Sequence, residues 1–146
     1  MKGYNFKFEK ILNLRLREEE QEEDKYLLLQ KELNDIKSNI EEIETKKENV
    51  FLELRQKDTK LSSIITLRKY LQRLRLNKEQ LIARKEEKST ELAQQLEILM
   101  EKKKERKTLE KLKEREVEEF IKEFLKAEQK ELDELGRHYS MGGRSI

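Results

Sequence analysis

An all-α fold, a long antiparallel two-helix coiled coil, is what this sequence predicts, and three observations predict it. Apolar residues recur in steps of three and four along two separate stretches, the spacing that keeps one helix face against a partner helix. The composition is 45% charged and 34% hydrophobic, with no Pro, Cys or Trp among 146 residues, which is too polar for a compact core but sufficient for an apolar seam. An acidic run and a basic run also fall opposite each other when the chain is folded at one place.

The first helix is expected over about residues 6–57. Its start is densely apolar, with Tyr4, Phe6, Phe8, Ile11, Leu12, Leu14 and Leu16. Residues 17–24 (REEEQEED) then supply no seam residue and crowd like charges at i,i+4 spacing. From Tyr26 the stripe returns through Leu29, Leu33, Ile36, Ile40 and Ile43, breaks at Lys47, and resumes at Val50 and Leu54.

A hinge is expected at 58–63, Asp58-Thr59-Lys60-Leu61-Ser62-Ser63, because Asp, Thr and Ser accept hydrogen bonds from the orphan amides that open a helix. The alternative is one unbroken helix, since neither Gly nor Pro stands there to force a turn. The second helix is expected over about 64–135. Ile64, Leu67, Tyr70, Leu71, Leu74 and Leu81 restart the stripe, and after a polar interval Leu92, Leu96, Leu99, Leu109 and Leu112 continue it. Gly136 reads as a C-terminal stop, leaving 136–146 as a loose tail of one elongated domain, 1–146.

Folding at this hinge brings residues 18–24 against about 97–107, so the acidic run meets the basic run Lys102-Lys103-Lys104-Glu105-Arg106-Lys107. The same register leaves Val117, Phe120, Ile121, Phe124, Leu125, Leu132 and Leu135 without a first-arm partner. A bare apolar stripe marks an interface, with another protein or with a second copy of the chain. The net charge of +2 conceals a polarity along the chain: from Arg55 to Lys85 there are ten Lys or Arg against Asp58 and Glu79 alone.

No enzyme chemistry is expected. The single His, His138, has no catalytic neighbour, no Gly-rich loop cradles phosphate, and no metal-ligand spacing occurs, so no cofactor or metal is anticipated. Asp133 and Glu134 point about 100 degrees apart on a helix and do not converge on one atom. The absence of cysteine excludes disulfide and thiolate chemistry. The N-terminal segment lacks a signal-peptide apolar run, and no stretch approaches the roughly 20 residues of a membrane span. The expectation is a cytoplasmic protein with no direct membrane insertion.

At its two ends the chain resembles the FliJ family, coiled-coil components of the flagellar type III export apparatus. The start shows Phe6, Phe8, Leu12, Leu14, Arg15 and Arg17 followed by Glu residues; the end shows Glu128-Gln129-Lys130-Glu131-Leu132-Asp133-Glu134-Leu135. The resemblance implies a molecule like the central stalk of rotary ATPases, whose paired ends enter a hexamer of the export ATPase, FliI, and promote its assembly and activity. The residues it places there are Phe6, Phe8, Phe120, Ile121, Phe124, Leu125, Gln129, Lys130, Leu132, Asp133 and Glu134. It also implies contact with the export gate protein FlhA through Tyr70 and Leu74, flanked by the basic Arg68, Lys69, Arg73 and Arg75, with Val50 and Phe51 where the family carries a tyrosine-rich first-helix cluster. Export chaperones are further implied partners, and the implied location is the cytoplasmic face of the flagellar basal body. Two other readings of the residues remain: a nucleic-acid-binding helical arm, which the basic hinge end suits, and a plain structural tether.

Overall fold

The computed structural model describes residues 3–144, with side chains as far as residue 140. Two helices make up the fold, α1 (Glu9–Leu54) and α2 (Leu61–Arg144), in an all-α hairpin with no strand among the described residues. α1 opens after Phe8, whose carbonyl accepts the Leu12 amide at 2.9 Å, while Phe6 accepts from Glu9 at 3.2 Å. The first helix is therefore three residues shorter at each end than the 6–57 that periodicity suggested.

The turn, residues 55–60, lies earlier in the chain than 58–63. Its chemistry also runs the other way. The Thr59 hydroxyl, rather than capping the start of α2, is within hydrogen-bonding distance of the carbonyls of Glu53 (3.1 Å) and Gln56 (3.0 Å), and so satisfies orphan acceptors at the end of α1. α2 begins with the Ile64 amide donating to the Lys60 carbonyl at 3.0 Å, which places Ser62 and Ser63 inside the helix. The only positive φ among the described residues is at Gly3, so the reversal needs no left-handed residue.

Gly136 does not stop α2. A mid-helix glycine costs about 1 kcal/mol relative to alanine, and Glu131, Leu132, Glu134 and Leu135 before it are strong helix formers. The expected loose tail is helical as far as Arg144, and Arg137 to Ser140 all lie on exposed helix.

Contacts group the chain into two units: Glu20–Glu101, and the residues up to Glu19 together with those from Lys102 onward. The first is an antiparallel hairpin closed by the turn. Ile43, Val50, Leu71 and Leu74 form its buried cluster, with Leu54, Leu67, Tyr70 and Leu81 packed against them. Leu33, Ile36 and Leu99 are also buried, and every residue of the Tyr26–Leu54 stripe is buried or half-buried. The α2 side departs from expectation at one point. Leu96 is exposed and Gln95 takes its place in the seam, donating from Nε2 to the Glu22 carbonyl at 3.1 Å and to the Glu22 carboxylate. Lys88 pairs with Glu32 at 2.9 Å, and Lys78 with Glu44.

In the other unit the N-terminal turns of α1 lie along α2. Phe6 and Leu12 are buried there; Leu112, expected in this seam, is at the surface. The acidic and basic runs meet as their register required: Glu18 with Lys102 at 3.2 Å, Arg15 with Glu105 at 3.5 Å, Glu9 with Lys113 at 2.9 Å, and Glu19 with Arg106.

These pairs make stability depend on pH. Hydrogen bonds from Arg15 and Lys102 hold the Glu18 carboxyl below the ordinary carboxylate range, and Lys78, then Lys47, do the same for Glu44. Their folded-state pKa is lowered, so their contribution is complete above the unfolded value of about 4.3 and is lost as pH falls below it. Donating to the Glu18 carboxylate raises Lys102, and donating to those of Glu32 and Glu91 raises Lys88; both contributions are complete below about 10.4 and are lost above it. Thermal melts followed by circular dichroism should show a plateau between these limits and a fall on both sides. The falls should be modest, because the partners are partly solvated and screened. A melting temperature that holds unchanged to pH 3 would show that the pairs contribute nothing.

Candidate functional site

Beyond the last residue that α1's N-terminal segment covers, α2 runs on with every side chain from Ile121 to Ser140 exposed. At about 100 degrees per residue, Ile121, Phe124, Leu125, Leu132 and Leu135 fall in one stripe. Phe124 is 53% exposed, and the other four range from two-fifths to two-thirds exposed. Polar residues flank the stripe: Gln129 donates to Asp133 at 3.1 Å, with Lys130 and Glu134 exposed nearby. So many large apolar side chains on one solvent-facing stripe constitute a surface built to be covered.

Three of the expected members of this surface lie outside the bare stripe. Phe6 is core, only 4% exposed, with its ring edge-on to Phe8 at 5.9 Å and the Lys113 ammonium 6.0 Å from its centroid. Phe120 is half-buried because the Tyr4 ring packs on it at 5.5 Å. Phe8 is half-buried. Burial pushes the Tyr4 phenol up, Glu116 adds to this, and the hydroxyl has no hydrogen-bond partner among the described residues. The Tyr4–Phe120 contact was within reach of sequence reasoning. Extending the register by two residues beyond Phe6 sets position 4 against about 119.

Residues 4–144 match the family model described as flagellar FliJ protein. The chain belongs to the FliJ family. No curated protein and no solved structure matches it. Membership makes it a component of the flagellar export apparatus, in a family not known for catalysis. No helix among the described residues is long and apolar enough to cross a membrane, and no group of His, Asp or Glu among them is placed to hold a metal ion.

A second surface of this FliJ-family chain lies near the turn. Arg68, Lys69, Arg73 and Arg75 are exposed, and the Arg73 guanidinium sits 6.0 Å from the Tyr70 ring centroid. Leu74, which the family resemblance made a surface anchor beside Tyr70, is instead in the seam with Ile43, Val50 and Leu71. Heptad spacing explains the difference: positions 67, 71 and 74 share the face turned toward α1. A shallow pocket of about 460 Å³ between Arg68 and Arg75 has Phe51, Leu54 and Leu71 among its lining residues, so Phe51 is accessible here while Val50 is core. Sequence reasoning also missed Leu61, Ile65 and Leu76, which are exposed on this part of α2. By contrast, Lys102 and Arg106 of the second basic run are ion-paired within their own unit and have little charge to offer a polyanion.

Proposed function

We propose that this FliJ-family protein binds the flagellar export ATPase ring, FliI, with the bare stripe of α2, in the manner of a central stalk. The observation that carries the proposal is the unpartnered stripe of Ile121, Phe124, Leu125, Leu132 and Leu135 on a helix that continues past its α1 cover. Burying each such side chain contributes about 1.5–3 kcal/mol, so two or three of them suffice for a specific contact. Gln129, Lys130, Asp133 and Glu134 would form its polar rim, and Phe8 would border it, while Phe6 would act from the core by holding the N-terminal segment in place. A protein that binds only the assembled hexamer stabilises it by mass action, so promoting assembly and turnover requires no catalytic group from this chain. The surface around Tyr70, Arg68, Lys69, Arg73 and Arg75 would contact the export gate protein FlhA: charge would speed the encounter and Leu74 would support the face from beneath. Export chaperones would be further partners, and the protein would work in the cytoplasm at the base of the flagellum.

The test is ATP hydrolysis measured against ATPase concentration, with and without this protein. Phe124→Ser with Leu125→Ser should weaken apparent binding to the ATPase by on the order of a hundredfold while circular dichroism stays unchanged, because neither residue touches α1. Phe120 is unsuitable for this purpose, since its replacement also removes the Tyr4 contact. Equal stimulation by wild type and double variant would exclude the stripe as the ATPase contact.

A further inference from the structure

Near the turn, the outer face of α2 has a composition that the hairpin does not account for. At about 100 degrees per residue, Leu61, Ile65, Lys69 and Leu76 share one sector away from the seam positions 67, 71 and 74, and Arg68 and Arg75 stand at its edge, beside the pocket that Phe51, Leu54 and Leu71 line. Leu61 is 73% exposed, and Ile65 and Leu76 are each at least half exposed. None of the three cations is ion-paired among the described residues. The turn adds Lys57 and Lys60, and the acids of the whole Arg55–Lys85 stretch are Asp58 and Glu79.

Exposed aliphatic side chains interleaved with unpaired cations, on one convex helix face, suit a partner that is anionic, broad and fluid. In the headgroup layer of an acidic bilayer the cations meet phosphates while the aliphatic groups reach the acyl boundary. A nucleic acid would satisfy the cations, but it binds open faces by stacking on aromatic rings, and the aromatic residue here, Tyr70, packs toward the seam. An acidic protein helix would need a groove for its apolar side chains, and Leu61, Ile65 and Leu76 stand on a ridge.

We propose that this face adsorbs peripherally to an anionic lipid bilayer, with Arg68, Lys69 and Arg75 on headgroup phosphates and Leu61, Ile65 and Leu76 at the acyl boundary. The adsorption shares Arg68, Lys69 and Arg75 with the gate contact proposed above but requires neither protein partner, and no helix among the described residues is long and apolar enough to cross a membrane. Co-sedimentation of the full chain with protein-free vesicles tests it. Vesicles of phosphatidylglycerol and phosphatidylcholine should bind the protein, pure phosphatidylcholine should not, and binding should fall as salt rises. Arg68→Glu with Arg75→Glu should lower partitioning by on the order of tenfold or more. Leu61→Ser with Ile65→Ser should lower it while leaving the charge unchanged, which separates insertion from simple charge attraction; melting curves establish that both variants fold. Failure to bind acidic vesicles, equal binding by the charge-reversed variant, or binding of single-stranded RNA but not vesicles would each overturn the proposal.

Discussion

Leu74→Ala is expected to lower the unfolding free energy by about 2–5 kcal/mol, the range for removing a buried leucine from a packed core. Leu74 is 4% exposed and belongs to the cluster with Ile43, Val50 and Leu71, against which Leu54, Leu67, Tyr70 and Leu81 pack. Urea denaturation followed by circular dichroism measures the loss. A decrease below about 1 kcal/mol would mean that the side chain is not held as described. The consequence for function is direct: a double replacement of Tyr70 and Leu74 would weaken any partner contact by unfolding the hairpin. A clean test of the gate surface uses Arg75→Glu, whose side chain is exposed and forms no ion pair among the described residues.

Arg106→Glu is the second change with a large expected effect, roughly 2 kcal/mol or more of lost stability. The Arg106 guanidinium is shared between Glu19, which is buried against it, and Glu110 at 2.8 Å. Reversing its charge gathers three carboxylates and leaves Glu19 buried without its cation. A swap, Glu19→Arg with Arg106→Glu, should restore most of the loss, though not the share that Glu110 contributes from its more solvated position. The coupling energy from the double-mutant cycle is the decisive quantity. A value near zero would mean the two side chains do not meet, and the register of this unit would be wrong. Because Glu19 and Arg106 help close the unit that holds the buried Phe6 and Leu12, Arg106→Glu should also make the N-terminal segment more sensitive to limited proteolysis, and the swap should reverse this.

By itself the sequence determined the class of fold, the antiparallel pairing and the family. Steps of three and four from Tyr26 to Leu54 admit only a helix with one apolar face, and an acidic run can sit across from Lys102 and Arg106 only if the chain reverses between them. The residues that carry the family resemblance lie at the two termini, where the coiled-coil pattern is least generic. The tertiary structure decided what periodicity leaves open. A stripe says which face is apolar but not where the partner helix ends, so the burial of Phe6, the pairing of Phe120 with Tyr4 and the exposure of Phe124 became definite only once α1's N-terminal segment was laid along α2. The seam of α2 keeps alternating steps of three and four without a break, through Leu71, Leu74, Lys78, Leu81, Lys85, Lys88, Leu92, Gln95 and Leu99. That unbroken register is why Gln95 rather than Leu96 lies in the seam and why Leu74 faces inward rather than toward a partner. The position of the turn was likewise beyond a reading of local signals, because Thr59 is as able to satisfy the carbonyls that end one helix as the amides that begin the next.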